Sequence, residues 1–332
     1  GHGLQVVTCS IRPGQSLSAD DAAEAARTFT VLPGSPAALL RPALVALLRH
    51  PVRWGQALAV AQRHALPGAR QRLRALVWFA EGMRLAPVLA RQGVTHLHGQ
   101  FANPAAVAGL AACRYLGIGW SVTVHGLSDF AGEMTPRLRQ KLVDADFVAC
   151  ATEWGRRRLG GLAGGFHAAK CHLVRCGVEV ARLPAPARPP RRPGEPLELL
   201  SVGRLAPEKG HLGLLEALEA LVRRGVDARL TLVGGGPEEA AIRGAVAARG
   251  LTARVALPGP LPEAAVLEAM ARAHAFAMSS LMEGLPVVLM EALALELPVA
   301  APALTGIPEL VREGETGLLY APGDWAALAA RL

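Results

Sequence analysis

The stretch Glu283-Gly-Leu-Pro-Val-Val-Leu-Met-Glu291 decides how this chain is read. Just before it, His274-Ala-Phe-Ala-Met278 is an apolar run of the length and character of a buried parallel strand. Two serines follow, then Glu283, then Gly284-Leu285-Pro286 opening a long apolar helix. Proline suits a first helical turn because it has no N–H to lose there. A helix N-terminus offers free backbone N–H groups and the positive end of a dipole, which suits a phosphate. Glu283 falls in the loop at that mouth, where a carboxylate accepts hydrogen bonds from sugar hydroxyls. Glu291 falls about two turns into the helix, rotated about 80° from Glu283 if the whole span is helical. A carboxylate there is placed to hold the two hydroxyls of a ribose.

A second stretch, Ser201-Val-Gly-Arg-Leu-Ala-Pro-Glu-Lys-Gly210, supplies cations. Leu197 to Val202 reads as a strand, and Gly203 to Gly210 as the loop before a helix beginning near His211. Arg204, as a bidentate fork, and Lys209, as a point charge, would flank one diphosphate. The chain holds 32 Arg and only three Lys, at 141, 170 and 209, so a lysine in this loop carries some weight. A solvated surface loop would also accept either residue alone. Two such loops at matching places after strands of one α/β array suggest a nucleotide-sugar site.

Outward from these loops, strands and helices alternate along the chain, the pattern of parallel α/β sheets. Strands are expected at Leu4–Cys9, Thr28–Leu32, Val94–Leu97, Trp120–Val124, Phe147–Cys150 and His172–Val174, and then at 197–202, 229–233, 254–257, 274–278 and 298–300. Pro36 to about Gln92 reads as helix in pieces broken near Pro51 and Pro67. The run Leu183 to Pro196 holds six prolines in fourteen residues, which sustains neither helix nor sheet. The expectation is a first domain over 1–182, a Pro/Arg-rich linker over 183–196 and a second domain over 197–332.

A chain of 332 residues, 51% of them apolar, is long enough for two cores and is not of disordered composition. No uninterrupted apolar stretch suffices to cross a bilayer, and the start has no signal-peptide pattern. Five cysteines without a CxxC pair fit a reducing cytoplasm. Cys9, Cys113 and Cys150 read as core. Cys171 and Cys176 would need two more ligands, such as His167 and His172, to hold a metal. The charge is uneven: residues 1–200 hold 24 Lys+Arg and 12 Asp+Glu, whereas 201–332 hold 11 and 15. A basic first half suggests an anionic partner. Nucleic acid fits least, with no recognisable binding module and few aromatic residues for stacking. The basic, apolar segment Ala38–His50, with Arg53 and Trp54 after it, suits a membrane surface or an ordinary core helix with a wet polar edge.

The motifs together resemble the retaining GT-B glycosyltransferases of family 4, especially the bacterial exopolysaccharide and colanic-acid type. Those that carry the resemblance are Gly203-Arg204 with Lys209-Gly210, Val233-Gly-Gly-Gly-Pro237, Glu283 to Glu291, Gly306-Ile-Pro-Glu309-Leu and Gly314-Glu-Thr-Gly317-Leu-Leu. Earlier in the chain they are His96-Leu-His-Gly-Gln-Phe-Ala, Thr123-Val-His125-Gly-Leu-Ser-Asp129-Phe and Val174-Arg-Cys-Gly177-Val. The likeness is dense from about Thr95 onward. It implies an α/β fold of the GT-B type, two Rossmann-like parallel-sheet domains facing across a cleft, the first for the acceptor and the second for the donor. It implies a hexosyltransferase that uses a nucleotide-diphosphate sugar as co-substrate, with no cofactor and no metal.

Carried over residue by residue, the resemblance makes His125, Glu283, Arg204 and Lys209 the catalytic group. Gly203, Gly235, Leu261, Gly284, Leu285, Pro286 and Glu291 join Arg204, Lys209 and Glu283 in donor binding. His98 and Asp129 are acceptor-side candidates. The acceptor would be a lipid-linked or saccharide chain, with peripheral contact at the inner face of the plasma membrane. Two other readings use the same residues: a nucleotide-sugar epimerase or hydrolase on this fold, or a truncated donor-binding module without catalysis. The chain departs from the family pattern at both ends, lacking a first strand and glycine loop and the last helices, so a fragment is expected. Glu296 stands where the family often has glycine. Asp144-Ala-Asp146 looks like the metal-binding DxD of another glycosyltransferase fold, but it sits where a helix ends before a strand and is expected to cap that junction.

Overall fold

The computed structural model describes residues 3, 5–12, 19–32, 37–130, 137–162, 168–186, 191–192 and 194–332. Leu4, Pro36 and His167 of the sequence reading lie outside them. The chain forms two compact units, Gly1–Val174 and Arg175–Leu332. The proline-rich segment expected as the linker therefore falls inside the second unit. Two contacts join residues ahead of and at the start of that segment to the rest of the unit. Arg175 Nη2 donates to Glu309 Oε2 at 3.1 Å, and Leu183 packs against the core that contains Leu200, Phe276 and Leu289.

In the first unit a short parallel pair, β1 (Cys9–Ser10) and β2 (Phe29–Thr30), stands beside a four-stranded parallel sheet. That sheet is β3 (His96–Gly99), β4 (Gly119–Val124), β5 (Val148–Cys150) and β6 (Cys171–Leu173), in sequence order. Helices 37–49, 51–63 and 69–91 precede it, and the last two pack on the connecting helix 105–116. Strand β4 shows why the period of two matters. Its Trp120, Val122 and Val124 pack with Leu110, Leu142 and Leu159, while Ser121 and Thr123 turn to the other face and meet His98. The expected strands are present with shifted ends. The largest shift is at the start, where only Cys9 of the expected Leu4–Cys9 run lies in the paired strand, which continues to Ser10.

The second unit is a six-stranded parallel sheet built from β7 (Leu197–Val202), β8 (Ala228–Val233), β9 (Val255–Gly259), β10 (Ala275–Ala277), β11 (Val299–Pro302) and β12 (Gly317–Tyr320). Their spatial order is β12-β11-β10-β7-β8-β9. Both faces are covered, as an all-parallel sheet requires. Leu199, Ala277 and Ala300 join one core with helix 211–223. Their neighbours Leu200, Phe276, Val299 and Ala301 join the other, with helices 263–272 and 287–294. Strand β12 was read as a glycine-led motif and not as a strand. It pairs on one edge with β11 and is pinned across β10's end by Tyr320, whose hydroxyl donates to the Met278 carbonyl at 2.6 Å. The helix of the opening stretch runs only from Val287 to Ala294, with Pro286 just ahead of it in extended backbone. Glu291 thus sits about one turn into the helix, not two. Glu296 closes that helix in left-handed backbone, φ 55°, with the amides of Glu296 and Leu297 bonded back to Leu293 and Ala292. Glycine is favoured at such a position, which explains why Glu296 looked out of place.

Candidate functional site

The strand order of the second unit reverses between β7 and β10: the chain runs outward through β8 and β9, then returns to the other side of β7. In open α/β sheets ligands bind outside the carboxyl ends of the strands at such a reversal, where the connections diverge and leave a crevice. The two loops read from the sequence follow those two strands. The loop after β7 passes through a tight turn at 207–209 into helix 211–223. Gly210 takes φ 63° there, and a Cβ on it would collide with the Ser279 carbonyl. The loop after β10 is bonded to it directly. Leu281 N and Met282 N donate to the Glu208 carbonyl at 2.8 and 3.2 Å, and Ser279 Oγ donates to the Lys209 carbonyl at 2.9 Å.

That backbone stitching brings the charges together. Lys209 Nζ donates to Glu283 Oε1 at 2.5 Å, and the Glu283 side chain is only 9% exposed. Arg204 reaches outward and pairs with Glu208, whose carboxyl is lowered by its own backbone hydrogen bond first and by Arg204 after burial is offset. His211 opens helix 211–223, buried, with Nδ1 lacking a protein partner. Burial, then Lys209's charge, lower its imidazole to about 4, so it stays neutral at pH 7. A cation beside a buried carboxylate, at the mouth of a 13-residue helix, can exchange that carboxylate for a phosphate oxygen and release it to sugar hydroxyls.

The other candidates of this unit line up around these loops. Gly203 meets the β8 loop so closely that a Cβ on Gly234 would collide with the Gly203 carbonyl, and Leu205 N donates to the Gly235 carbonyl at 3.0 Å. Gly235 in turn faces the Pro260 ring, next to Leu261, which packs at the edge of the core. Leu285 and Pro286 are buried. Glu291 is half-buried. Burial first, and the charge of Glu263 second, raise its carboxyl above the usual carboxylate range.

In the first unit His125 follows β4. Its Nε2 lies 2.7 Å from the Gln100 carbonyl, and its ring tilts against Phe101. Asp129 is buried and accepts the amides of His125 and Gly126 at 2.7 and 3.2 Å, so its carboxylate holds the loop that carries His125. Both nitrogens of His98 are engaged, with Ser121 Oγ and Thr123 Oγ1 each 2.7 Å away. Burial first, then His96 and His125, lower its imidazole. Asp144 pairs with Arg63 at 3.2 Å and lies 3.4 Å from His64 Nε2, whereas Asp146 accepts the Trp120 amide at 2.9 Å. The two carboxylates serve different neighbours at the junction they were expected to cap. Among the described residues no group of three or more His, Cys, Asp or Glu is arranged to hold a metal. Cys171 lies 3.1 Å, sulfur to sulfur, from Cys150 across β5 and β6, a pairing that sequence spacing did not suggest.

Sequence reasoning missed Glu208, Glu263 and Thr305. Glu208 lies within the stretch Ser201–Gly210, and Thr305 directly precedes Gly306-Ile-Pro-Glu309. The signal of Thr305 is a partner more than twenty positions upstream.

Residues 187–332 match the family described as Glycosyl transferases group 1, and residues 26–182 match Glycosyltransferase Family 4. The chain is 34% identical over 235 residues to the colanic acid biosynthesis glycosyltransferase WcaL of Salmonella typhimurium, covering 67% of this chain and 57% of that protein. It is 31% identical to the 2-deoxystreptamine glucosyltransferase of Streptomyces kanamyceticus, covering 80% of this chain and 76% of that one. Among solved structures it is similar to Anabaena HepE in complex with UDP-glucose, at a TM-score of 0.61 and 21% identity, covering 74% of this chain and 71% of the other.

Proposed function

Because the chain belongs to glycosyltransferase family 4, with the GT-B fold of two Rossmann-like domains, we propose that it moves a hexose from a nucleotide-diphosphate sugar to a saccharide or lipid-linked acceptor in exopolysaccharide synthesis, with retention of configuration. The observation that carries this reading is the Lys209–Glu283 pair where the strand order reverses. On donor binding Lys209 exchanges Glu283 for a phosphate oxygen, and Arg204 exchanges Glu208 likewise. Glu283 then accepts hydrogen bonds from the sugar, and Glu291 from the ribose. As the bond from sugar to phosphate breaks, negative charge grows on the leaving diphosphate, and Arg204 and Lys209 stabilise it in place of a metal ion. The acceptor hydroxyl attacks from the face the diphosphate leaves and passes its proton to the departing phosphate oxygen, so configuration is kept and no covalent sugar–enzyme intermediate forms. Holding the two substrates in line supplies much of the rate.

The relatives' names support the pathway: WcaL is described as a colanic acid biosynthesis glycosyltransferase. The test is thermal unfolding of the protein with UDP, GDP and ADP in turn. One of them at a hundred times its dissociation constant should stabilise the fold by about 2.7 kcal/mol. No shift with any nucleoside diphosphate would contradict the donor site.

The surface supports a contact with anionic lipid. Residues 25–80 hold eight Arg and no Asp or Glu. Helix 37–49 exposes Leu40, Leu44 and Leu48 at four-residue spacing, with Val52 continuing the series in helix 51–63. An apolar stripe among cations suits a bilayer surface that carries negative headgroups. No helix among the described residues is long and apolar enough to cross a membrane.

A further inference from the structure

Thr305 occupies left-handed backbone, φ 48°. For a β-branched residue this is an outlier, and such strain persists only where its surroundings fix it. What fixes it is visible. The Thr305 hydroxyl is shared between the Glu283 carbonyl at 3.0 Å and the Gly284 carbonyl at 3.1 Å. The next amide, Gly306 N, donates to Gly284 at 3.2 Å. Thr305 follows β11, the strand beside β10, so a third loop bonds to the peptide that carries Glu283. The other flank of that peptide is held by Leu281 and Met282 on Glu208. Glu283 is thus clamped from both sides, and among the described residues Thr305 supplies the side-chain donor on the far side.

We propose that Thr305 is a positioning residue for Glu283: its hydroxyl sets the peptide plane at 283–284 and thereby where the carboxylate meets the transferred sugar. This rests on the reading of Glu283 as the sugar-facing carboxylate. A carboxylate displaced by a fraction of an ångström still pairs with a flexible lysine, but it no longer matches a fixed array of sugar hydroxyls. The hydroxyl thus tunes the sugar step and leaves the diphosphate step alone.

The test uses the full chain, three variants and two readouts. Thr305→Val keeps the branching and the backbone strain and replaces the hydroxyl with a methyl, which cannot donate to the two carbonyls. Thr305→Ser keeps the hydroxyl. Thr305→Gly removes both hydroxyl and strain, and guards against a valine variant that fails to fold. The readouts are calorimetric affinity for UDP and GDP, and turnover of whichever sugar nucleotide of a UDP- and GDP-sugar panel the unmodified protein consumes fastest. Thr305→Val and Thr305→Gly should lower kcat about tenfold or more with nucleoside diphosphate affinity held within about twofold, and Thr305→Ser should return kcat to within about threefold. Equal losses of diphosphate affinity and kcat, or full turnover in Thr305→Gly, would overturn the proposal and leave the donor site standing. An unmodified protein that binds neither UDP nor GDP would end the donor-site reading and this proposal with it.

Discussion

Glu283 and Glu291 differ in what surrounds them, and that difference can be measured. Glu283 is held against Lys209, whereas Glu291 lies half-buried near Glu263 with its carboxyl raised. If Glu283 holds the transferred sugar, Glu283→Gln should leave nucleoside diphosphate affinity nearly intact and lower turnover of the donor. Glu291→Gln should weaken the diphosphate and the donor alike, because both contain ribose. A lost hydrogen bond to a charged group is worth roughly 1.5–3 kcal/mol, tenfold or more in the affected constant. Titration of both variants with the nucleoside diphosphate, beside donor turnover, separates the roles. Equal loss of diphosphate affinity would make the pair one structural unit. A second residue tests the first unit. Glu81 is 5% exposed, and burial, partly offset by Arg12, raises its carboxyl to about 6. A raised acid favours the protonated fold, so this stability is full below the usual value near 4.5 and is lost as pH climbs through about 6. Glu81→Gln should therefore raise stability at pH 8 by up to roughly 2 kcal/mol and change little at pH 4. A gain of the same size at both pH values would show that packing, not ionisation, is responsible.

At the level of elements, the sequence was most legible where burial on both faces forces long apolar runs. Leu197–Val202 stands where it was read, and β8, β10 and β11 lie within two residues of expectation. Strand β12 escaped because an edge strand of four residues beginning at a glycine offers only the short apolar run Leu318-Leu319-Tyr320 to announce it. The helix after Pro286 came out shorter than its apolar composition suggested, because left-handed Glu296 and the bonds of its last turn end it. The segment Ala38–His50 admits two readings, and the structure leaves Leu40, Leu44 and Leu48 bare while Ala46 faces the core. Vesicle sedimentation decides the use of that face. Binding should be strong on vesicles with anionic headgroups, weak on neutral ones, reduced by salt, and lost in Leu44→Glu/Leu48→Glu. Equal binding to neutral and anionic vesicles, or an unaffected double variant, would remove the lipid contact.

For the molecule as a whole, the site was legible in its charges and not in its assembly. Arg204, Lys209 and Glu283 could be named from motifs, since loops after parallel strands gather at one sheet edge whatever the rest of the chain does. That Lys209 grips Glu283 across 74 positions, and that Thr305 clamps the peptide beyond it, depends on β10 and β11 lying on the far side of β7, an order that local patterns do not encode. The central claim is that the loops after β7 and β10 together hold a nucleoside diphosphate. Calorimetric titration of the best-binding nucleoside diphosphate into the unmodified protein and into Lys209→Ala tests it most directly. The expected result is saturable one-site binding that weakens by tenfold or more in the variant, in line with losing a charge-assisted contact of roughly 1.5–3 kcal/mol, with the melting temperature of the ligand-free protein little changed. A Lys209→Ala protein that melts normally and binds the diphosphate within twofold of the unmodified chain would contradict it.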